Sequence, residues 1–191
     1  MSHKLLSNAN FHLILCAIDK ELLNQSKKQG CPDCKNKLHQ ANYARSPFGV
    51  PAQFREHYDM RLSLCCNTCR KRTTPPSVRF FGQRRYPMPI FIVICLLQFG
   101  INSRHLSQIK KHFDITVSES TWKRWRRWWR ESFIATKFWQ REKGIVPIFE
   151  KTNQNNIVRI LLNLFKGNLW EKIRLLLQFL SPLTGGVLRA V

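Results

Sequence analysis

Apolar residues recur along this chain at two different spacings, and the change from one to the other divides it. From about Asn10 to Ser26 the pattern predicts a short helix, stopped by Lys27-Lys28-Gln29-Gly30. Residues 30–87 lose the helical period and become rich in Cys, Pro, Gly and Arg. Short β-like runs appear there at Lys37–Tyr43, Leu62–Leu64, Arg70–Thr74 and Val78–Phe81. Pro87–Phe99 then reads as a buried helix, closed by Gly100-Ile101-Asn102. Ser103 can cap a following helix, Arg104–Phe113, which sets Leu106, Ile109 and Phe113 on one face. A turn over Asp114–Val117 leads to Ser118, a second cap, with Val117 and Trp122 at hydrophobic-staple positions around it. The next helix is expected from Glu119 to about Phe133. After Gly144 and Pro147, residues 148–181 predict one or two amphipathic helices, ahead of Pro182 and Gly185-Gly186. The expected class is α+β, mostly α, in four stretches: 1–29, 30–87, 88–133 and 134–191.

The cysteines change this picture most. Cys31-Pro32-Asp33-Cys34 and Cys66-Asn67-Thr68-Cys69 are two C-x2-C pairs with 31 residues between them. Thiolates at this spacing fit one tight knuckle, so each pair can hold one side of a tetrahedral zinc ion. The gap is longer than usual for such a site. Closing it costs only about 0.5 kcal/mol more by loop entropy, against roughly 10–16 kcal/mol of zinc binding in small sites. The excess is expected in an inserted loop around Pro47–Tyr58. Cys65 offers a C-x3-C alternative with Cys69, but Cys66 matches the spacing of the first pair. His39 falls in an apparent strand and reads as an ordinary surface or core histidine. Cys16 and Cys95 sit in apolar helical stretches and read as core. Four sulfur ligands leave no open coordination position, so the metal is expected to be structural. A redox C-x2-C would sit in a βαβ unit, and no such pattern is present.

Charge then points to a partner. The chain has 191 residues with 32 Lys+Arg against 11 Asp+Glu, a formal charge of +21, yet 43% of it is apolar. A folded domain this basic repels itself, and a polyanion relieves that repulsion. The helix from Glu119 carries the clearest arrangement: Trp122, Trp125, Trp128, Trp129 and Phe133 share one side. Glu119, Ser120, Lys123, Arg126, Arg127 and Arg130 gather opposite. One acid among those six excludes i,i+4 ion pairing as the reason for the face. Two capped helices joined by about four residues match a helix-turn-helix, whose second helix enters the major groove of double-stranded DNA. Glu119, Ser120, Lys123 and Arg124 are then the candidates for base contact. Arg126, Arg127 and Arg130 would neutralise phosphates, with Lys71, Arg72, Arg79, Arg84 and Arg85 from the preceding stretch. The longest apolar run, Ile90–Leu97, is far below the roughly 20 residues that span a bilayer, and residues 1–25 show no export signal. An intracellular protein without a membrane partner is expected.

The segment from Arg61 to Gly82, through Cys66-Asn67-Thr68-Cys69-Arg70-Lys71-Arg72-Thr73-Thr74, resembles the second half of the zinc ribbon at the N-terminus of many insertion-sequence transposases. Cys31-Pro32-Asp33-Cys34 resembles the first half. Ribbon and helical module together cover about residues 28–133, and the chain also resembles a group of uncharacterised bacterial transposase-like proteins. The resemblance implies DNA binding in the bacterial nucleoid, with a recombinase or transposase partner. Such transposases continue into an RNase-H-like domain with three metal-binding carboxylates. Here only Glu142, Glu150 and Glu171 follow Glu131, with no strand pattern.

The expectation is therefore a zinc-stabilised DNA-binding protein of mobile-element type, not an enzyme, acting in end or target recognition or in regulation. A homodimer would suit paired half-sites. The rivals are a zinc-ribbon RNA-binding protein, a thiol oxidoreductase and a nuclease fragment.

Overall fold

The structure is a computed structural model that describes residues 3–82, 84–98, 118–145 and 157–188. The first helix predicted for the helix-turn-helix, Arg104–Phe113, lies outside the described residues, as do Ser103 and the turn Asp114–Val117. The chain is α+β and mostly helical, with small antiparallel sheets.

A single turn, α1 (His3–Leu6), precedes the long helix α2 (Ala9–Gln29). Asn8 caps α2 by accepting from the Phe11 N–H, and Gly30 ends it at φ 74°. A Cβ at Gly30 would stand 2.8 Å from the Lys35 carbonyl, so glycine is required where the chain turns into the cysteine-bearing region. The helix is longer at both ends than the apolar pattern predicts, because the cap and the glycine set its limits.

The main sheet has the order β1-β4-β5-β6, all antiparallel. Its members are β1 (Leu38–Gln40), β4 (Leu64–Cys66), β5 (Arg72–Thr74) and β6 (Gly186–Leu188). Leu38 stands opposite Cys66, and Leu64 opposite Thr73. A second ladder pairs β2 (Tyr43–Ala44) with β3 (Met60–Arg61). Between them the predicted inserted loop forms a 3₁₀ helix, Ala52–His57, whose Phe54 is buried. The C-terminal strand β6 was not expected: it adds itself to β5 across the boundary drawn between residues 30–87 and 134–191, with Thr73 opposite Val187. The predicted strand at Val78–Phe81 is absent. That run is a buried loop, and its apolar residues fill the core without entering a ladder.

The helical body follows as α3 (Met88–Gln98), α4 (Glu119–Arg127), α5 (Lys137–Glu142), α6 (Ile157–Asn163) and α7 (Leu169–Leu180). Helix α3 is buried from Met88 to Cys95, as its unbroken apolar run requires. Helix α5, capped by the Thr136 hydroxyl, escaped the sequence reading; α7 opens with a capping box of Asn168 and Glu171. Helix α4 continues without a break into a π-helical segment, Trp128–Phe133. An α-helix would turn Trp128 and Trp129 about 100° apart; the wider π turn lets both ring systems reach the interior. Trp129 stacks on Phe91 at 5.7 Å, and its Nε1–H donates to the Cys95 sulfur at 3.3 Å. Trp128 meets Phe81 edge-on at 4.8 Å. One large core joins α1, α2, the 3₁₀ helix, α3 and the later helices, while Leu23, Leu38 and Leu64 form a small satellite around the cysteines.

Two buried polar clusters tie these parts together. Asp19 on α2 is fully buried: Oδ1 accepts from the Val78 N–H at 2.7 Å, and Oδ2 from the Ser77 hydroxyl at 2.6 Å and Arg79 Nε at 2.8 Å. Arg79 also donates to the His57 carbonyl. The Thr184 hydroxyl accepts from the Ser77 N–H at 2.7 Å and so draws in the C-terminal segment. In the second cluster, His12 Nε2–H donates to the Leu6 carbonyl at 2.9 Å and Nδ1 accepts from the Tyr58 hydroxyl at 2.8 Å. Desolvation holds the His12 pKa below its usual value.

Asp19→Asn should lower unfolding stability by about 3–5 kcal/mol, because it leaves the Arg79 guanidinium buried without a counter-charge. Asp33→Asn, which breaks an exposed pair with Lys71, should cost about 1 kcal/mol or less. Urea titrations of the two variants check this. The His12 contribution has the opposite pH sense from a salt-bridged histidine. It is complete above the unfolded pKa near 6.5 and is lost as pH falls below it, since only the unfolded chain takes the proton there. Measured between about pH 7 and 5, stability should fall less steeply in His12→Gln than in the parent.

Candidate metal centre and nucleic-acid interface

Two loops of the same construction present the four cysteines. In the first, Cys31 N–H donates to the Asn36 carbonyl at 2.9 Å, and Lys35, just after Cys34, is left-handed at φ 61°. In the second, Cys66 N–H donates to the Lys71 carbonyl at 3.0 Å, and Arg70, just after Cys69, is left-handed at φ 59°. Each such non-glycine residue costs roughly 1–2 kcal/mol, a strain that persists only where something overrides it. The β1–β4 pairing brings the loops face to face, and the Lys71–Asp33 pair at 2.8 Å bridges them outside.

The sulfurs of Cys31, Cys34, Cys66 and Cys69 all lie within 4.8 Å of one another. Cys31 and Cys69 are 3.6 Å apart, Cys34 and Cys66 3.4 Å. A disulfide requires about 2.05 Å, and all seven cysteines are free thiols. Four thiolates about 2.3 Å from a tetrahedral ion stand roughly 3.8 Å apart, so the cluster fits one metal ion held by sulfur alone. The N–H groups of Thr68 and Cys69 point at the Cys66 sulfur at 3.4 and 3.5 Å, which suits a thiolate. The Asn36 backbone N–H, then its side chain, draw the Cys34 thiol down to about 6. Cys65, on the opposite side of β4, has its S–H on the Arg70 carbonyl at 3.5 Å. Strand alternation thus separates two neighbouring thiols and places Cys66, with Cys65 turned away, in the cluster. His39 on β1 is exposed and outside the cluster. Cys95 is buried, which pushes its thiol up to about 12.

On α4 and its π extension, Ser120, Lys123, Arg124, Arg126, Arg127 and Arg130 are exposed. Trp125, Trp129 and Phe133 are buried and Trp128 is half-buried; the side chains of Glu119 and Trp122 lie outside the described set. The indoles are packing groups, as their spacing suggests, and the cations face solvent. The five cations make no carboxylate pair among the described residues apart from any involving Lys123.

The other predicted phosphate contacts divide. Arg79 is corrected: it is 5% exposed, and its guanidinium is committed to Asp19 and the His57 carbonyl. It is an interior fastener, out of reach of a phosphate. Arg72 is half-buried, donating to the Ala41 carbonyl at 2.7 Å with its guanidinium over Tyr43. Lys71 remains exposed and paired with Asp33. Arg84 and Arg85 come beside α4: Arg84 lies over Phe81 and Trp128 at 4.4 and 4.9 Å, and Arg85 over Phe48 at 3.8 Å. Tyr86, next in sequence, packs edge-on against Trp125 at 5.1 Å. The sequence reading passed over it, although an aromatic directly after two arginines was the available signal. Among the described residues no helix is long and apolar enough to cross a membrane.

Comparison with models of known families, with curated proteins and with solved structures gives no match.

Cys66→Ser should reduce bound metal from about one equivalent per chain to near zero and lower the thermal midpoint, whereas Cys65→Ser should leave both unchanged. Elemental analysis of the purified variants beside the parent tests this.

Proposed function

We propose that the protein is a zinc-stabilised DNA-binding protein that uses α4 as its recognition helix. The observation that carries the reading is the exposed cationic face of α4 on a helix anchored by buried indoles. A rod fixed through Trp125 and Trp129 cannot rotate its cations away, and with five of them facing outward it is matched to a phosphate backbone. The chain's formal charge of +21 supports the same partner. Zinc is the favoured ion for four clustered thiolates in a chain that resembles a zinc ribbon. When bound, it would supply cross-linking of the two cysteine loops and no chemistry at an open position. Cys31, Cys34, Cys66 and Cys69 would hold it, and the strain at Lys35 and Arg70 would be balanced by that grip.

On this reading Ser120, Lys123 and Arg124 lie towards base edges, and Arg126, Arg127 and Arg130 meet phosphates. The completing helix, Arg104–Phe113, belongs to the proposal as the sequence predicts it. The role is recognition or regulation at a mobile-element end or target, in keeping with the transposase-like resemblance, and pairing of two copies would give two half-sites.

Salt titration of duplex binding provides the test. Arg126→Ala and Arg127→Ala should each weaken binding to all sequences and reduce the slope of log K against log salt by about one. Unchanged slopes overturn the phosphate placement. Preference for structured RNA over duplex DNA at equal salt overturns the partner.

A further inference from the structure

A cleft of about 480 Å³ opens between the Arg84-Arg85-Tyr86 segment and α4, within the range of small-ligand clefts, about 300–1,000 Å³. Its walls are mostly cations and aromatic rings. Arg84, Arg85, Arg124 and Arg127 supply cations, and Tyr86 and Trp128 supply partly accessible rings over a floor that includes Trp125. Among the described residues no carboxylate lines it. None of the four arginines is in a salt bridge among the described residues, and Arg84 and Arg85 stand across the cleft from Arg124 and Arg127.

The arginine positions separate two tasks. Arg84 is half-buried, with its guanidinium carbon 4.4 Å from the Phe81 ring centroid and 4.9 Å from that of Trp128. Burial and the neighbouring Arg124 charge both oppose its ionisation, with burial the larger effect. Arg85, Arg124 and Arg127 are exposed at the mouth. An arginine plane over an indole is a surface on which a nucleobase stacks, and exposed guanidinium groups at the rim match a phosphate. A ligand that is aromatic at one end and dianionic or polyanionic at the other satisfies both. The interior of a duplex cannot supply it, because paired bases are stacked on each other.

We propose that this cleft holds one unpaired nucleotide of DNA, its base on the Arg84–Trp128 wall beside Tyr86 and its phosphate against Arg85, with Arg124 and Arg127 at the rim shared between that phosphate and the adjoining duplex. The proposal rests on the DNA-binding reading and narrows it: the protein engages duplex DNA next to a frayed end, overhang or junction, with α4 on the duplex and the cleft on the strand that leaves it. Stacking of a single base in such a site strengthens binding by roughly tenfold or more, and the contact is tolerant of base identity because every base has a π-face.

The test uses the full-length protein and a duplex with a short single-stranded extension, compared with the same duplex blunt-ended. The extension should raise affinity roughly tenfold or more, and Tyr86→Leu should remove that gain while leaving blunt-duplex affinity and its salt slope as in the parent. With 5-iododeoxyuridine in the extension, irradiation should cross-link the DNA to a peptide containing Tyr86 or Trp128. Tight, salt-dependent binding of the blunt duplex without any gain from the extension, or cross-links only outside residues 84–86 and 124–132, overturns the cleft and leaves the DNA-binding reading standing. Absence of binding to either DNA overturns both. A free deoxynucleoside monophosphate that binds as tightly as the extended duplex, or a stronger gain from an RNA extension, overturns the assignment to DNA.

Discussion

Where the small sheet meets the helical body, one carboxylate holds three successive residues of the crossing chain. Asp19 accepts from Ser77, Val78 and Arg79 inside a buried junction, and the Ser77 N–H reaches on to Thr184. The chain enters the sheet region at the end of α2 and leaves it through this segment, so both connections are fixed relative to one helix. Removing water from an ion pair is expensive, and hydrophobic packing of the same volume could serve stability as well. What the charged cluster adds is direction: its hydrogen bonds are satisfied in one arrangement of α2, residues 77–79 and the C-terminal segment. The segment that follows, Phe81 to Tyr86, is thereby delivered to the side of α4, where its arginines and aromatics form a cleft.

The cysteine quartet was legible because ligand spacing is a local property. Two C-x2-C pairs state their own geometry, and the choice between Cys65 and Cys66 follows once a strand is recognised, since adjacent residues leave a strand on opposite sides. The amphipathic character of α4 was equally legible from its period. Other features depend on distant partners and left no local trace. Arg79 looks like any other cation in a basic stretch until Asp19, 60 residues earlier, is placed beside it. Val78–Phe81 has the composition of a strand, yet the N–H groups of Val78, Arg79 and Phe80 are taken by Asp19 and Ser77 in place of a ladder. Strand β6 has three residues and begins on the second of two glycines, too short to signal itself. The π segment, Trp128–Phe133, leaves no mark on the apolar pattern, which repeats with the roughly 100° per residue of an α-helix.

The aromatic and cationic residues are also less independent than their counts suggest. Arg84 covers Phe81 and Trp128, Arg85 covers Phe48, and Arg72 covers Tyr43. Contacts of this kind are worth about 0.5–1 kcal/mol at exposed sites and more when desolvated. They let a chain with few acids anchor its excess cations on ring faces, where carboxylates would otherwise be needed. The cost is repulsion among guanidinium groups held close together, and a bound polyanion would relieve it.

Strand β6 carries a consequence for how the molecule is made. Its partner β5 and the two cysteine loops lie close together in sequence, whereas the Ser77–Thr184 contact beside it spans 107 residues. Local hairpins close quickly and remote pairings slowly. During translation the helices must therefore be synthesised while β5 shows a bare row of amide and carbonyl groups, an edge to which a neighbouring nascent chain could attach. Charge on an exposed edge disfavours such pairing between like chains, and β5 begins with Arg72, directly after Arg70 and Lys71.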